Sequence, residues 1–250
     1  TYAHRYYFDY PPDAPLARFI LIDPDLNRGG FKAQYCKGGE VDNCGWLEAR
    51  IGEAKQQGLW TIVGMHKNCL TMGVKPCEIG AELLNMLVDL KVDLVLQGHD
   101  HGYQRSKQLS LTAGCLLVAT DAYNANCVAD DGSDGQYKRD MGMVFAITAV
   151  IGRTPYPANP FDTDAPYFAA WMDATAPSNG FLLFTVTQEQ IDAAFVPSVG
   201  TFADHFVIGP QAAPATPTPG ATIPPTVTPP PSTSTPQGDK AHLYLPHVIP

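Results

Sequence analysis

Apolar runs and helical spacings alternate along the first two-thirds of the chain. "ARFILIDPD" (Ala17–Asp25) is an apolar run closed by polar residues, the pattern of a buried strand ending in a turn. "WLEARIGEAKQQG" (Trp46–Gly58) sets Leu47, Ile51 and Ala54 at helical spacing and stops at a glycine, the usual helix exit. "LWTIVGMH" (Leu59–His66) predicts a second buried strand. "EIGAELLNMLVDLK" (Glu78–Lys91) predicts a helix with Ile79, Leu83, Met86, Leu87 and Leu90 on its inner face. "VDLVLQ" (Val92–Gln97), "CLLVAT" (Cys115–Thr120) and "MVFAITAV" (Met143–Val150) read as further strands. "GFLLFTVT" and "IDAAFVPS" read as an antiparallel pair joined around Gln188–Gln190. Strand–helix alternation followed by hairpins predicts an α/β domain with mixed sheets.

That pattern stops at Gly209. Residues Pro210–Gly238 hold ten of the 23 prolines and no charged residue, a composition that cannot bury a core and predicts a disordered, extended, polyproline-like stalk. Its threonines suit attached sugar. A short apolar tail follows, Asp239–Pro250, "DKAHLYLPHVIP". Three segments are therefore expected: a domain over 1–209, a linker over 210–238 and a tail over 239–250. Stalk and tail suggest export and display at the cell surface; a frayed terminus is the alternative for the tail.

With 250 residues, 45% of them hydrophobic, the chain can bury a sizeable core. Its net charge of -9 argues against a nucleic-acid-binding surface, which wants a basic face. No apolar run is long enough for a transmembrane segment. A chain that opens on Thr1 without a signal peptide is expected to be processed or truncated. The six cysteines fall as sequential pairs around short polar loops, and none forms a C-x-x-C. Local bridges Cys36–Cys44, Cys69–Cys77 and Cys115–Cys127 are expected, one of fifteen possible connectivities, against the alternative of six free thiols. Bridges imply an oxidising, extracellular setting.

The chemistry concentrates at two strand ends. One is Gly64-Met65-His66; the other is Gly98-His99-Asp100-His101, inside "VDLVLQGHDHGYQRS". A helix between the two strands makes them neighbouring parallel strands whose C-terminal ends lie side by side, where α/β proteins hold ligands. His66, His99 and His101 would converge there, with Gly64 and Gly98 allowing sharp turns. Imidazole suits zinc, iron and manganese. Asp23 and Asp25 end the first strand and could be recruited as further ligands. "DDGSDG" (Asp130–Gly135) lacks the spacing of a calcium loop.

"GHDHGYQR" (Gly98–Arg105) closely resembles the last metal motif of the calcineurin-like metallophosphoesterases, of the secreted kind similar to purple acid phosphatases. "LWTIVGMHK" resembles the strand–His motif before it, and "APYFAAWM" with "GFLLFTVTQEQIDAAFVPSVGTFADHF" resembles the closing hairpin. The resemblance spans roughly residues 1–209. It implies part of a four-layer αββα sandwich of two mixed sheets. It also implies a two-metal centre of divalent or trivalent Fe, Zn or Mn, acting on a small phosphate mono- or diester. His66 and His99 would hold one metal and His101 the other. Tyr103 and Arg105 follow the motif and could line the substrate pocket, Arg105 suiting a phosphate oxygen; an ordinary salt bridge is the alternative for Arg105.

The family's Asp-x-His, Gly-Asp-x-x-Asp/Tyr and Gly-Asn-His motifs do not occur in the chain. Three neutral imidazoles offset none of the charge of two cations. The simplest expectation is that the N-terminal half of the same domain is missing. The alternatives are an inactive, surface-displayed binding module that reuses the fold, or a mononuclear three-histidine zinc site.

Overall fold

A computed structural model describes residues 4–24, 27–28, 31–32, 35–36, 43–173, 175–210 and 241–243. All but the first residue of the expected linker over 210–238, Asp25 and most of the tail lie outside the described residues. Strands β1 (Arg5–Tyr10) and β2 (Ala17–Ile22) are followed by the short β3 (Asn27–Arg28) and β4 (Phe31–Lys32). Helix α1 (Asn43–Gln56) leads into β5 (Trp60–Gly64), and α2 (Ala81–Asp89) into β6 (Leu94–Gln97). Then come β7 (Tyr103–Ser106), β8 (Gln108–Leu109), β9 (Val128–Asp130), β10 (Gln136–Tyr137), β11 (Val144–Thr148) and β12 (Phe168–Trp171). The last four are β13 (Asn179–Val186), β14 (Ile191–Val199), β15 (His205–Ile208) and β16 (Ala241–Leu243).

Seven strands form one mixed sheet in the order β1-β2-β5-β6-β11-β7-β12. Its middle run, β2-β5-β6-β11, is parallel, with helical crossovers from β2 to β5 and from β5 to β6. The flanks are antiparallel. A five-stranded sheet, β10-β15-β14-β13-β16, stands beside it. One face of the large sheet carries Phe19, Trp60, Ile62, Leu94 and Val144 and packs on Phe184, Ile191, Phe206 and Ile208 of the small one. The other face packs Ile20, Val63, Val95 and Ile147 against Leu47 and Ile51 of α1 and Leu83 and Leu87 of α2. Three layers result, helix–sheet–sheet. Both α-helices among the described residues lie in the helical layer, so the second outer layer of an αββα sandwich is not seen there.

The helical pattern of α1 was legible residue by residue: Leu47, Ile51 and Ala54 are its buried positions. α2 begins later than the pattern predicts. Gly80 precedes it at φ 88°, a left-handed conformation that suits glycine, so Glu78 and Ile79 stand outside the helix. The buried stripe shifts to Leu83, Leu84, Leu87 and Val88. "CLLVAT" is not a strand. Leu116 and Leu117 are exposed, and the segment is held as a looped excursion by Cys115–Cys127 and by an Asn124 Nδ2 bond to the Gly114 carbonyl. An apolar run bounded by a cysteine bridge mimics a core strand in sequence while carrying no sheet partner.

All three local disulfides form: Cys36–Cys44, Cys69–Cys77 and Cys115–Cys127. They suit an oxidising, extracellular setting. No helix among the described residues is long and apolar enough to cross a membrane.

Candidate metal centre

β5 and β6 are hydrogen-bonded neighbours, with Gly64 opposite Leu96. The chain leaving β5 therefore reaches His66 beside the chain leaving β6. The Gly98 N–H donates to the His66 carbonyl at 3.0 Å, which ties the two exits together. The left-handed residue of the second exit is His99 itself, at φ 65°, rather than the glycine before it. That conformation is uncommon outside glycine, though histidine adopts it more readily than most residues. His99 Nδ1 stands 3.2 Å from His66 Nε2, the rings meeting edge to face at 5.0 Å.

The far side of His99 is built from residues that the sequence pattern did not single out. Its Nε2 meets the Glu78 carboxylate and lies 3.3 Å from Lys67 Nζ. Lys67 also donates to Glu78 Oε1 at 2.6 Å. Burial lowers the pKa of His99; Glu78 opposes the shift, and Lys67 and Lys75 add to it. The ring is thus kept in the neutral form that binds metals. Asp100, only 1% exposed, grips the loop opposite: Thr71 Oγ1 donates to it at 2.6 Å. A side chain at Gly73 would run into that carboxylate, at 2.0 Å from its Oδ2.

His101 takes a separate place. Its ring stacks on Tyr156 at 4.6 Å, 15° from parallel, and its carbonyl accepts from the Tyr156 N–H. Among the described residues no group of three or more His, Cys, Asp or Glu is arranged to hold a metal. The mononuclear three-histidine site is therefore not assembled; the structure pairs His66 with His99 and sets His101 against an aromatic ring.

Tyr103 and Arg105, expected at a substrate pocket, are buried. Tyr103 donates to Asp204 Oδ2 at 2.6 Å. Arg105 forks onto the same carboxylate at 2.7 and 3.0 Å and also reaches the Tyr137 hydroxyl. Burial works against the Arg105 charge, yet Asp204 outweighs it and holds the pKa above the ordinary value. Burial and Asp204 together push the Tyr103 hydroxyl well up. The alternation of β7 explains the placement: positions 103 and 105 share one face, which here turns toward Phe195 and Phe206 of the small sheet. An arginine two residues past a metal motif reads the same in sequence whether it faces solvent or the layer behind.

His66 also lines a cavity of about 480 Å³ between the two sheets, together with Arg5, Asp23, Gln97, Leu182 and Phe184. Asp23, at the end of β2, thus shares a cavity with one of the two paired histidines.

No protein-family model matches the chain, and no curated protein matches it. Among solved structures, the fold is similar to a purple acid phosphatase isolated from yellow lupin (Lupinus luteus) seeds, at 18% identity and a TM-score of 0.57, over 82% of this chain and 32% of that one. The structure of PhoD matches at 12% identity and a TM-score of 0.44, over 82% of this chain and 42% of that one. The chain spans about a third of the length of the lupin structure. The likeness is one of fold.

Proposed function

We propose that the chain supplies the histidine side of a metal-dependent phosphoesterase, with His66 and His99 holding one metal ion and His101 serving a second. The observation that carries this reading is the 3.2 Å between His66 Nε2 and His99 Nδ1, in a fold similar to that of a purple acid phosphatase. Two nitrogens take up about this spacing when each bonds one metal at about 2.0–2.1 Å. The donor set fits in part: the neutral rings suit zinc, iron or manganese, but they bring no negative charge. The carboxylate and amide ligands come, in this reading, from the portion of the fold that this chain does not span.

What the metals supply when bound is Lewis-acid activation of a phosphate ester and of the attacking water. The chain's own residues orient the ligands. Parallel pairing of β5 and β6 fixes the separation of His66 and His99, Asp100 anchors the loop beside them, and Tyr156 holds the His101 ring by stacking. A substrate-binding role for Arg105 has no support here, since Asp204 saturates its fork.

Replacing His99 by Ala in the intact protein is expected to abolish metal-dependent hydrolysis of an aryl phosphate. Steady-state turnover with zinc, manganese or iron added checks this, and undiminished turnover refutes the assignment.

A further inference from the structure

We infer that Glu78 is a positioning residue for His99, fixing the ring's proton on Nε2 so that the Nδ1 lone pair faces His66; the inference rests on the metal reading above. The motif around His99 says nothing of Glu78, which stands in a different segment just after the Cys69–Cys77 bridge. Its backbone N–H donates to the Asn68 carbonyl at 3.1 Å, closing the bridged loop and bringing its side chain beneath the ring.

Two groups meet at His99 Nε2, and their charges decide where the proton lies. Glu78 Oε2 is in direct contact with Nε2 and is buried with no hydrogen-bond partner of its own, so a proton on Nε2 is the donor within its reach; Lys67 Nζ, within hydrogen-bond distance of the same nitrogen, lies farther off, at 3.3 Å. A carboxylate beside a bare ring nitrogen would set two lone pairs against each other; beside an N–H it accepts a hydrogen bond. Lys67 is already committed to Glu78 Oε1 at 2.6 Å and neutralises the carboxylate from the other side. The proton therefore belongs on Nε2. The opposite tautomer, with Lys67 donating to Nε2, would point an Nδ1–H at His66 and block the space between the two nitrogens. A carboxylate on the far nitrogen of a ligating histidine orients the ring and raises its basicity, and losing such a partner typically weakens metal binding about 10–100-fold.

Removing Glu78 leaves Lys67 as the nearest partner of Nε2, which makes the outcome specific. In the full chain without metal, at a pH where imidazoles are neutral, long-range proton–nitrogen NMR is expected to show His99 as the Nε2–H tautomer. In Glu78→Ala the ring should shift to Nδ1–H, and zinc titrated as its chloride, followed on the His66 and His99 ring signals, should bind about 10–100-fold more weakly. A merely structural role would lower the melting temperature and leave the tautomer unchanged. Nδ1–H in the wild-type chain overturns the inference without any variant, as does a Glu78→Ala ring still protonated on Nε2. A tautomer that shifts in Glu78→Ala while zinc binds both proteins equally marks a different failure: Glu78 then sets the ring's proton, but the His66–His99 pair is not where the metal sits, and the metal reading falls.

Discussion

At the scale of single residues, the buried charges of this protein divide into those that serve the strand ends and those that hold the layers together. Arg105 belongs to the second kind. Its side chain is 5% exposed and that of Asp204 is 9%, so removing one partner strands the other. Arg105→Met is expected to cost about 3–5 kcal/mol of stability, read from denaturant midpoints. A loss of turnover in the intact protein with unchanged stability would instead return Arg105 to the substrate. Asp164 is a second test. Burial raises its pKa to about 6, so the folded chain binds this proton more tightly than the unfolded one. The stability it contributes is full below about pH 4 and is lost as pH rises through about 6. Asp164→Asn should flatten that decline, by on the order of 3 kcal/mol between pH 4 and 7. Parallel pH profiles of the two proteins would refute the assignment.

At the scale of elements, legibility followed burial on two faces. β2, β5, β6 and β11 are apolar on both sides because helices cover one face and the small sheet the other, and continuous runs such as "FILI" and "WTIV" announce this directly. His66 and His99 could be placed together from those strands alone. Glu78, Lys67 and Tyr156 could not, because their roles depend on loop paths that no periodicity encodes. Glu78 was hidden further by a helical pattern that Gly80 interrupts. The Cys69–Cys77 bridge closes the loop that carries Glu78 to His99, across a sequence separation of 8. Replacing both cysteines by serine is expected to cost about 2.5 kcal/mol by loop-closure entropy, measured by thermal unfolding. Within the site, the chemical shifts of His99 should move more than those of His66. Equal small changes at both would show that the bridge does not govern the ring.

At the scale of the whole molecule, the disulfides are unevenly placed. Cys36, Cys69, Cys77, Cys115 and Cys127 all lie in or against the helix-side core, while the core between the two sheets contains none. Covalent restraint is therefore concentrated on the layer that frames the strand ends. The order of the large sheet adds a constraint of another sort. β6 and β7 flank the motif Gly98–Gly102, yet they do not pair; β11 sits between them, Ile147 beside Gln97 and Thr148 beside Tyr103. A ribosome releases the histidine motif well before it releases the strand that spreads the motif's two ends apart. In that interval β6 and β7 are free to close on each other as a simple hairpin, which would shut β11 out of the sheet.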